Sequence, residues 1–353
     1  TQAARAQRTY SQMLVSIRAG EVYVKLGDTA KAVNYYQDAK ALALGTEGNI
    51  SQAVNALRGL AHADRLKGNV QQARSSLDQA VNLIEHSRNR IVDPAQKTDY
   101  LDATHGVYED LISLEAEPPL NDAAGAFAIS EQSRGRTLLD QIKSSEDPHL
   151  TNQSSMLNAA YSALTSAHPV NLASLEAVLP SDLVLIEYAV TDDATYIFVV
   201  TRSGLRMVKS PVKTDKLNAM VSRYVEMLKT PASGDGWKSP ARDLYDALIL
   251  PVKELIPDDS TICIVPDRML DVMSFAAILG PDEKCLAASN PLTYAPSASI
   301  LKLCLDESRR YGSTPAKSIL AVGNPAFDTA RFPALQSLSS ADREANGVAS
   351  LLY

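Results

Sequence analysis

The side chains best suited to nucleophilic catalysis lie in different halves of the 353-residue chain. A thiol attacks as its thiolate and needs a nearby base, usually a histidine. The three cysteines lie in the C-terminal half, and the five histidines lie in the N-terminal half. Cys263 occupies an apolar run, so we interpret it as an inert core thiol. The residues are Cys263, Cys285, Cys304, His62, His86, His105, His149 and His168.

Other motifs for catalysis or ligand binding are absent from the sequence. It contains no G-x-x-x-x-G-K-[ST], no G-x-G-x-x-G and no G-x-S-x-G motif, which argues against a nucleotide enzyme and an α/β-hydrolase. No C-x-x-C pair and no metal-ligand spacing occur, so we expect neither a metal nor another cofactor. The acidic pairs Asp192-Asp193 and Asp258-Asp259 fall in predicted turns, where solvation explains them.

The charge balance excludes further classes of protein. The formal net charge is −7, which argues against direct binding to nucleic acid or to an anionic membrane. No apolar run approaches the roughly 18 residues that a membrane span requires, and no signal peptide is visible. An odd, sparse set of cysteines does not form a disulfide framework. These features predict a cytoplasmic protein.

One polar stripe is a better candidate site than any catalytic pair. Asn55, Arg58, His62 and Arg65 share one face of a predicted helix. A cationic stripe of this kind suits an extended peptide or a carboxylate. The sequence therefore predicts a groove that binds a protein or peptide partner. A solvated helix face without a partner remains the alternative interpretation.

An internal repeat positions this stripe. Gly68 repeats Gly27 and Ala73 repeats Ala32, in both cases 41 residues apart. Each unit reads as a helix, a Gly-Asp or Gly-Asn turn and a second helix, with glycine supplying the helix C-terminal turn. A third, degraded helix pair is predicted over Tyr100–Leu114 and Asp122–Ile142. The first unit has the spacing of the tetratricopeptide repeat (TPR) at Gly20, Tyr23, Ala32, Tyr36 and Ala39.

The C-terminal half has a different pattern, rich in β-forming residues. Leu183–Val190, Thr195–Thr201 and Leu205–Ser210 predict an antiparallel meander. Thr261–Pro266 predicts a short buried strand, and Ser318–Val322 followed by a helix is typical of an open α/β sheet. We place helical repeats at 1–145, a helical connector at 146–180 and a mixed region at 181–353.

Five segments, taken in order, carry a family resemblance. Together they resemble proteins that join TPR repeats to a CHAT domain, a caspase-like and separase-like cysteine peptidase. The resemblance implies an α + α/β fold, in which an α-solenoid of TPR helix pairs precedes a partial CHAT domain. The segments are EQSRGRTLLDQI (131–142), IVPDRMLDVMSFAAIL (264–279), PLTYAPSASIL (291–301), AVGNPAF (321–327) and ALQSLSSADREANGVASLL (334–352).

The chain departs from the family pattern in ways that matter for function. Arg268 stands where the pattern has glycine, and Ser274 stands where it has proline. The resemblance places the catalytic histidine and cysteine beyond Tyr353, so we assign no catalytic residue here. We therefore expect a chain that is truncated before its dyad and inactive by itself, with a poorly ordered segment from Ser318 onward.

Two functions follow from these patterns. The first is the front part of a TPR-regulated CHAT cysteine endopeptidase, whose repeats bind a partner or activator. The alternative is a non-catalytic scaffold or pseudo-peptidase, in which the repeat groove is the only functional site.

Overall fold

The computed structural model describes residues 2–45, 49–87, 94–144, 170–311 and 339–350. The chain divides into two compact units, Thr1–Cys304 and Leu305–Tyr353. The first unit contains a helical stack and a mixed sheet. None of the helices in the described ranges combines the length and apolarity needed to cross a membrane.

The N-terminal half is a stack of paired helices in which consecutive helices pack together. Both predicted repeat units and the degraded third pair are present as helix pairs. The third pair starts earlier than predicted, because its first helix begins at Pro94. The helices are α1 (Gln2–Lys25), α2 (Thr29–Leu44), α3 (Ile50–Leu66), α4 (Val70–Ser87), α5 (Pro94–Ala116) and α6 (Ala123–Ser144).

The repeated glycines end the first helix of each unit as predicted. Gly27 has φ +77° and Gly68 has φ +79°, a left-handed conformation that glycine adopts without a Cβ penalty. After the first turn, the Asp28 carboxylate accepts the N–H of Lys31 at 3.1 Å and caps α2. Both helix pairs therefore share a left-handed glycine at the turn, and α2 has a side-chain cap in addition.

Small residues let the helices approach closely around Tyr36, which is buried. A Cβ added at Gly20 would lie 2.7 Å from the Tyr36 ring, and one at Gly59 would lie 2.2 Å from it. The repeated alanines Ala32 and Ala73 are buried at helix contacts. The small-residue positions of the repeat therefore serve packing.

The C-terminal part of the first unit is built on a five-stranded mixed sheet with the order β3-β2-β1-β4-β5. The predicted meander forms its antiparallel half. β4 pairs in parallel with β1 and with β5, a strand that the sequence analysis did not predict. The strands are β1 (Leu183–Val190), β2 (Thr195–Thr201), β3 (Gly204–Ser210), β4 (Thr261–Val265) and β5 (Leu292–Tyr294).

Both faces of the sheet are covered, which explains why β1 is buried almost throughout. Ile186 and Tyr188 lie in an apolar core with residues of helices α8 (Thr214–Lys229) and α9 (Lys238–Leu248). On the opposite face, Phe127 of α6 contacts Phe198, with ring centroids 5.6 Å apart. The predicted α + α/β class is confirmed, and α5 and α6 are repeat helices that contact the sheet.

The remaining described elements are short helices. α9 ends at Leu248, because Pro251 has no N–H to continue an α-helix, and a 3-10 helix covers Leu250–Leu255. Two further 3-10 helices, Arg268–Val272 and Phe275–Ala277, follow β4. The other helices are α7 (Leu172–Val178), α10 (Leu286–Ser289), α11 (Ala298–Tyr311) and α12 (Ser339–Ser350).

Two predictions fall on residues outside the described ranges. The strand predicted at Ser318–Val322, with its expected poor order, lies between 311 and 339. Most of the predicted connector 146–180 also lies outside, and only residues 170–180, which include α7, are described.

Candidate functional site

The cysteines differ in how accessible their thiols are. Cys263 lies in the middle of β4, between Leu185 of β1 and Thr293 of β5, and is fully buried. Burial raises the pKa of this thiol to about 12, which opposes the thiolate that a nucleophile needs. Its core position is the one predicted. Cys304 is exposed, and Cys285 is half-buried.

The predicted stripe lies on α3, but its four members are not equivalent. Asn55, His62 and Arg65 are exposed. Arg58 is half-buried, and its Nε donates to Asp110 Oδ2 of α5 at 2.7 Å. A Cβ at Gly106 would overlap the Arg58 guanidinium at 2.2 Å, so Gly106 makes room for this pair. Arg58 therefore links two repeat helices.

A cavity of about 290 Å³ opens beside the exposed end of the stripe. His62 and Arg65 form one side of it, while Asp110 of α5 and the turn residues Asp192 and Asp193 contribute carboxylates. The predicted stripe is cationic, but its surroundings are acidic. The described residues contain no group of histidine, cysteine or carboxylate side chains arranged to hold a metal ion.

Arg134 joins the last repeat helix, α6, to the sheet. Its Nε donates to Glu187 Oε1 of β1 at 3.1 Å, and its Nη1 donates to the carbonyl of Pro266 at 2.5 Å. Its Nη2 donates to the carbonyl of Tyr188 and lies 3.9 Å from Asp267 Oδ1. One side chain thus holds β1 and the segment after β4 to α6.

Glu187 is the acidic partner at this joint and is fully buried. Its Oε1 also accepts the hydroxyl of Ser130 at 2.6 Å, whereas its Oε2 accepts no hydrogen bond from any described residue. Burial, followed by the nearby Glu131 carboxylate, raises the pKa of Glu187 well above its ordinary value, and Arg134 opposes the rise. The site therefore favours a protonated carboxyl that remains tied to α6.

Glu131, one turn before Arg134, connects α6 to the start of α11. Its carboxylate accepts the backbone N–H groups of Ala298 and Ser299, each at 2.8 Å, and the Ser299 hydroxyl at 2.6 Å. These are first-turn N–H groups, which have no partner within their own helix and favour a negative charge nearby. α6 thus contacts the sheet through Phe127, Ser130 and Arg134, and a helix end through Glu131.

A cleft of about 620 Å³ lies where β4 and β5 end. Pro266 and Asp267 follow β4, and Ala295 and Pro296 follow β5. Ligands of open α/β sheets commonly bind outside the carboxyl ends of the strands, and the cleft lies at that edge of this sheet. The cleft is lined by His105, Ser133, Arg134, Pro266, Asp267, Arg268, Asp271, Tyr294, Ala295 and Pro296.

Arg268, which departs from the family pattern, lies at the rim of this cleft. Its φ is +54°, a conformation that costs a residue with a Cβ roughly 1–2 kcal/mol. Its guanidinium forms an ion pair with Glu109 of α5. The departure therefore adds a second link between the segment after β4 and the repeats. At the other departure, the carbonyl of Ser274 accepts the Tyr224 hydroxyl at 2.9 Å.

The residues at the joint were not identified as functional in the sequence analysis. Glu187 stands out in the sequence, because it is the one charged residue in the apolar run LVLIEYAV. Glu131 and Arg134 lie in a segment that carried the resemblance, but helical periodicity assigns them no partner. Asp271 and Tyr294 also lie in segments that carried the resemblance. Nothing in the sequence placed them at one cleft, because the cleft brings together residues that are distant in sequence.

Comparison with known families agrees with part of the resemblance. Residues 238–353 match the CHAT domain family, beginning at the first residue of α9. A search of curated proteins found no match to the chain. The C-terminal part therefore has the features of a CHAT domain, which associates it with caspase-like peptidases, and the N-terminal helices fit TPR-like helices.

Proposed function

We propose that the protein is the front part of a CHAT-family cysteine endopeptidase regulated by TPR-like repeats. The observation that carries the regulatory part is the joint at α6, together with the CHAT match over 238–353. Arg134 and Glu131 reach β1, the segment after β4 and the start of α11 from a single repeat helix. A displacement of α6 therefore alters contacts with all three of these elements.

The repeats supply the regulatory input in this proposal. The groove on α3 binds a protein or peptide partner through Asn55, His62 and Arg65. Arg58 acts indirectly, because its pair with Asp110 sets the spacing of α3 and α5. Since the cavity beside His62 and Arg65 also contains carboxylates, the partner segment that fits carries both signs of charge.

The catalytic dyad in this proposal is not formed by the three cysteines of the chain. Cys263 is buried, and the raised pKa of its thiol opposes ionisation. The peptidase then attacks the scissile carbonyl with a thiolate from a cysteine outside these 353 residues, with a histidine as its base.

A cleavage experiment tests the peptidase function. The complete product of the gene is incubated with a lysate of its source organism, and new peptide N-termini are quantified by mass spectrometry. We expect new N-termini that disappear after alkylation of the enzyme with iodoacetamide, and none with the 353-residue chain alone. Alkylation-insensitive cleavage, or no cleavage by the complete product with its partners present, would contradict the proposal.

A binding experiment tests the groove independently. The double variant His62→Ala/Arg65→Ala is compared with Arg8→Ala/Lys25→Ala, which removes exposed cationic side chains from α1. Partners captured from the lysate by the wild type and the α1 variant should be lost from the α3 variant. Equal capture by both variants would show that α3 does not form the binding surface.

The non-catalytic scaffold remains the second candidate, favoured by the inaccessible thiol of Cys263. It predicts groove-dependent binding without alkylation-sensitive cleavage. The two experiments together separate the candidates, because both functions require the groove and only the peptidase requires a reactive cysteine.

A further inference from the structure

We propose that the cleft at the ends of β4 and β5 binds a lysine or arginine side chain of a partner protein, held by the Asp271 carboxylate against the ring of Tyr294. Both residues line the cleft of about 620 Å³, a size within the range of small-molecule and side-chain pockets. The inference is independent of peptidase activity and of the groove on α3.

The carboxylate of Asp271 is the available charge in this cleft. It forms no hydrogen bond or ion pair with any residue in the described part of the chain, and it is exposed. Burial, followed by the negative charge of the neighbouring Asp267, raises the pKa of Asp271, and Arg134 opposes the rise. The field at this carboxylate therefore favours a cation.

Two arginines also line the cleft, but neither forms an ion pair with Asp271. Arg134 is paired with Glu187 and lies near Asp267. Arg268 is paired with Glu109 of α5. Their guanidinium groups are directed to these carboxylates and to backbone carbonyls, which leaves Asp271 as the acidic group able to receive a ligand.

Tyr294 supplies the apolar wall that a long cationic side chain needs. Its ring packs edge-on with Phe275, at a centroid distance of 6.4 Å, and the residue remains 50% exposed. Aromatic faces attract ammonium and guanidinium groups, and the methylene stems of these side chains pack on apolar surface. Because the cleft offers the Asp271 carboxylate beside an aromatic ring, the ligand that complements it is a basic segment of a protein.

The test measures binding of acetyl-Ala-Arg-Ala-amide to the full chain by ligand-observed NMR titration. The matched peptide contains citrulline, which keeps the shape of arginine and removes its charge. We expect saturable binding of the arginine peptide with Kd of roughly millimolar order, and at least about fivefold weaker binding of the citrulline peptide.

Three variants locate the site. Asp271→Asn should weaken arginine-peptide binding at least about fivefold and Tyr294→Leu about threefold. Asp258→Asn, which removes an exposed carboxylate from a distant turn, should leave binding unchanged. Equal binding of the two peptides, equal effects of Asp271→Asn and Asp258→Asn, or no binding to the wild-type chain would each overturn the proposal.

Discussion

Replacement of Arg134 by methionine tests the joint between the repeats and the sheet. The change removes the partner of the buried Glu187 carboxyl and the donors to two backbone carbonyls. The Arg134 side chain is only 12% exposed and that of Glu187 is 0% exposed, so solvent screens the pair weakly. The change leaves the buried Glu187 carboxyl and the carbonyls of Tyr188 and Pro266 without this donor. Each buried polar group left unsatisfied costs about 1–3 kcal/mol, so we expect a loss of about 3 kcal/mol or more.

The loss can be measured by urea unfolding with the fluorescence of Trp237, the single tryptophan of the chain, which packs against the sheet core. Adding Glu187→Met to Arg134→Met should restore about 1–3 kcal/mol, because the buried carboxyl is then absent. Arg206→Met, at an exposed position on β3, should change the free energy of unfolding by less than about 0.5 kcal/mol. An Arg134→Met loss no larger than the Arg206→Met loss would refute the reasoning.

Three further predictions concern the pH response, the helix packing and the thiols. The pKa of Glu187 is higher in the folded protein than in the unfolded chain, so protonated Glu187 stabilises the fold. This contribution to the free energy of unfolding is complete below the unfolded-state pKa near 4.5, and it is lost as pH rises through the folded-state pKa. Glu187→Gln should therefore gain stability relative to wild type as pH rises in urea titrations, whereas parallel pH profiles would contradict this. Gly59→Ala should cost about 1–3 kcal/mol by overpacking against the Tyr36 ring, and Tyr36→Leu should recover part of that loss if the clash is its cause. Iodoacetamide should label Cys304 in the native protein and Cys263 only after unfolding, which peptide mapping can measure. Rapid labelling of Cys263 in the native protein would contradict this prediction.

Local patterns in the sequence predicted the helix pairs of the repeats and the strands β1 to β4, but not β5. The repeat could be recognised because Gly27 and Gly68 adopt a left-handed backbone conformation that favours glycine. The buried helix contacts at Ala32 and Ala73 also require small side chains. The meander could be predicted because its strands are connected by short turns. β5 could not be, because three residues carry too little periodicity and its pairing with β4 is non-local.

The candidate site was less predictable because it depends on contacts between distant segments. Arg58 lies on the predicted face of α3, but its pairing with Asp110 depends on how α3 and α5 pack. Glu187 could be marked as unusual in an apolar strand, but its partner Arg134 lies 53 residues away. Arg268 was recognised as a departure, and only its left-handed backbone and its contact with Glu109 show what it does.

The most direct test of the central claim is to identify the cysteine that reacts with an activity-based probe. The complete product of the gene is treated with a peptidyl acyloxymethyl ketone, in the native and in the urea-unfolded state, and the labelled residue is mapped by mass spectrometry. We expect labelling in the native state only, at a cysteine other than Cys263, Cys285 and Cys304. Labelling confined to one of those three residues, or no labelling of the native protein, would contradict the assignment as a CHAT cysteine peptidase.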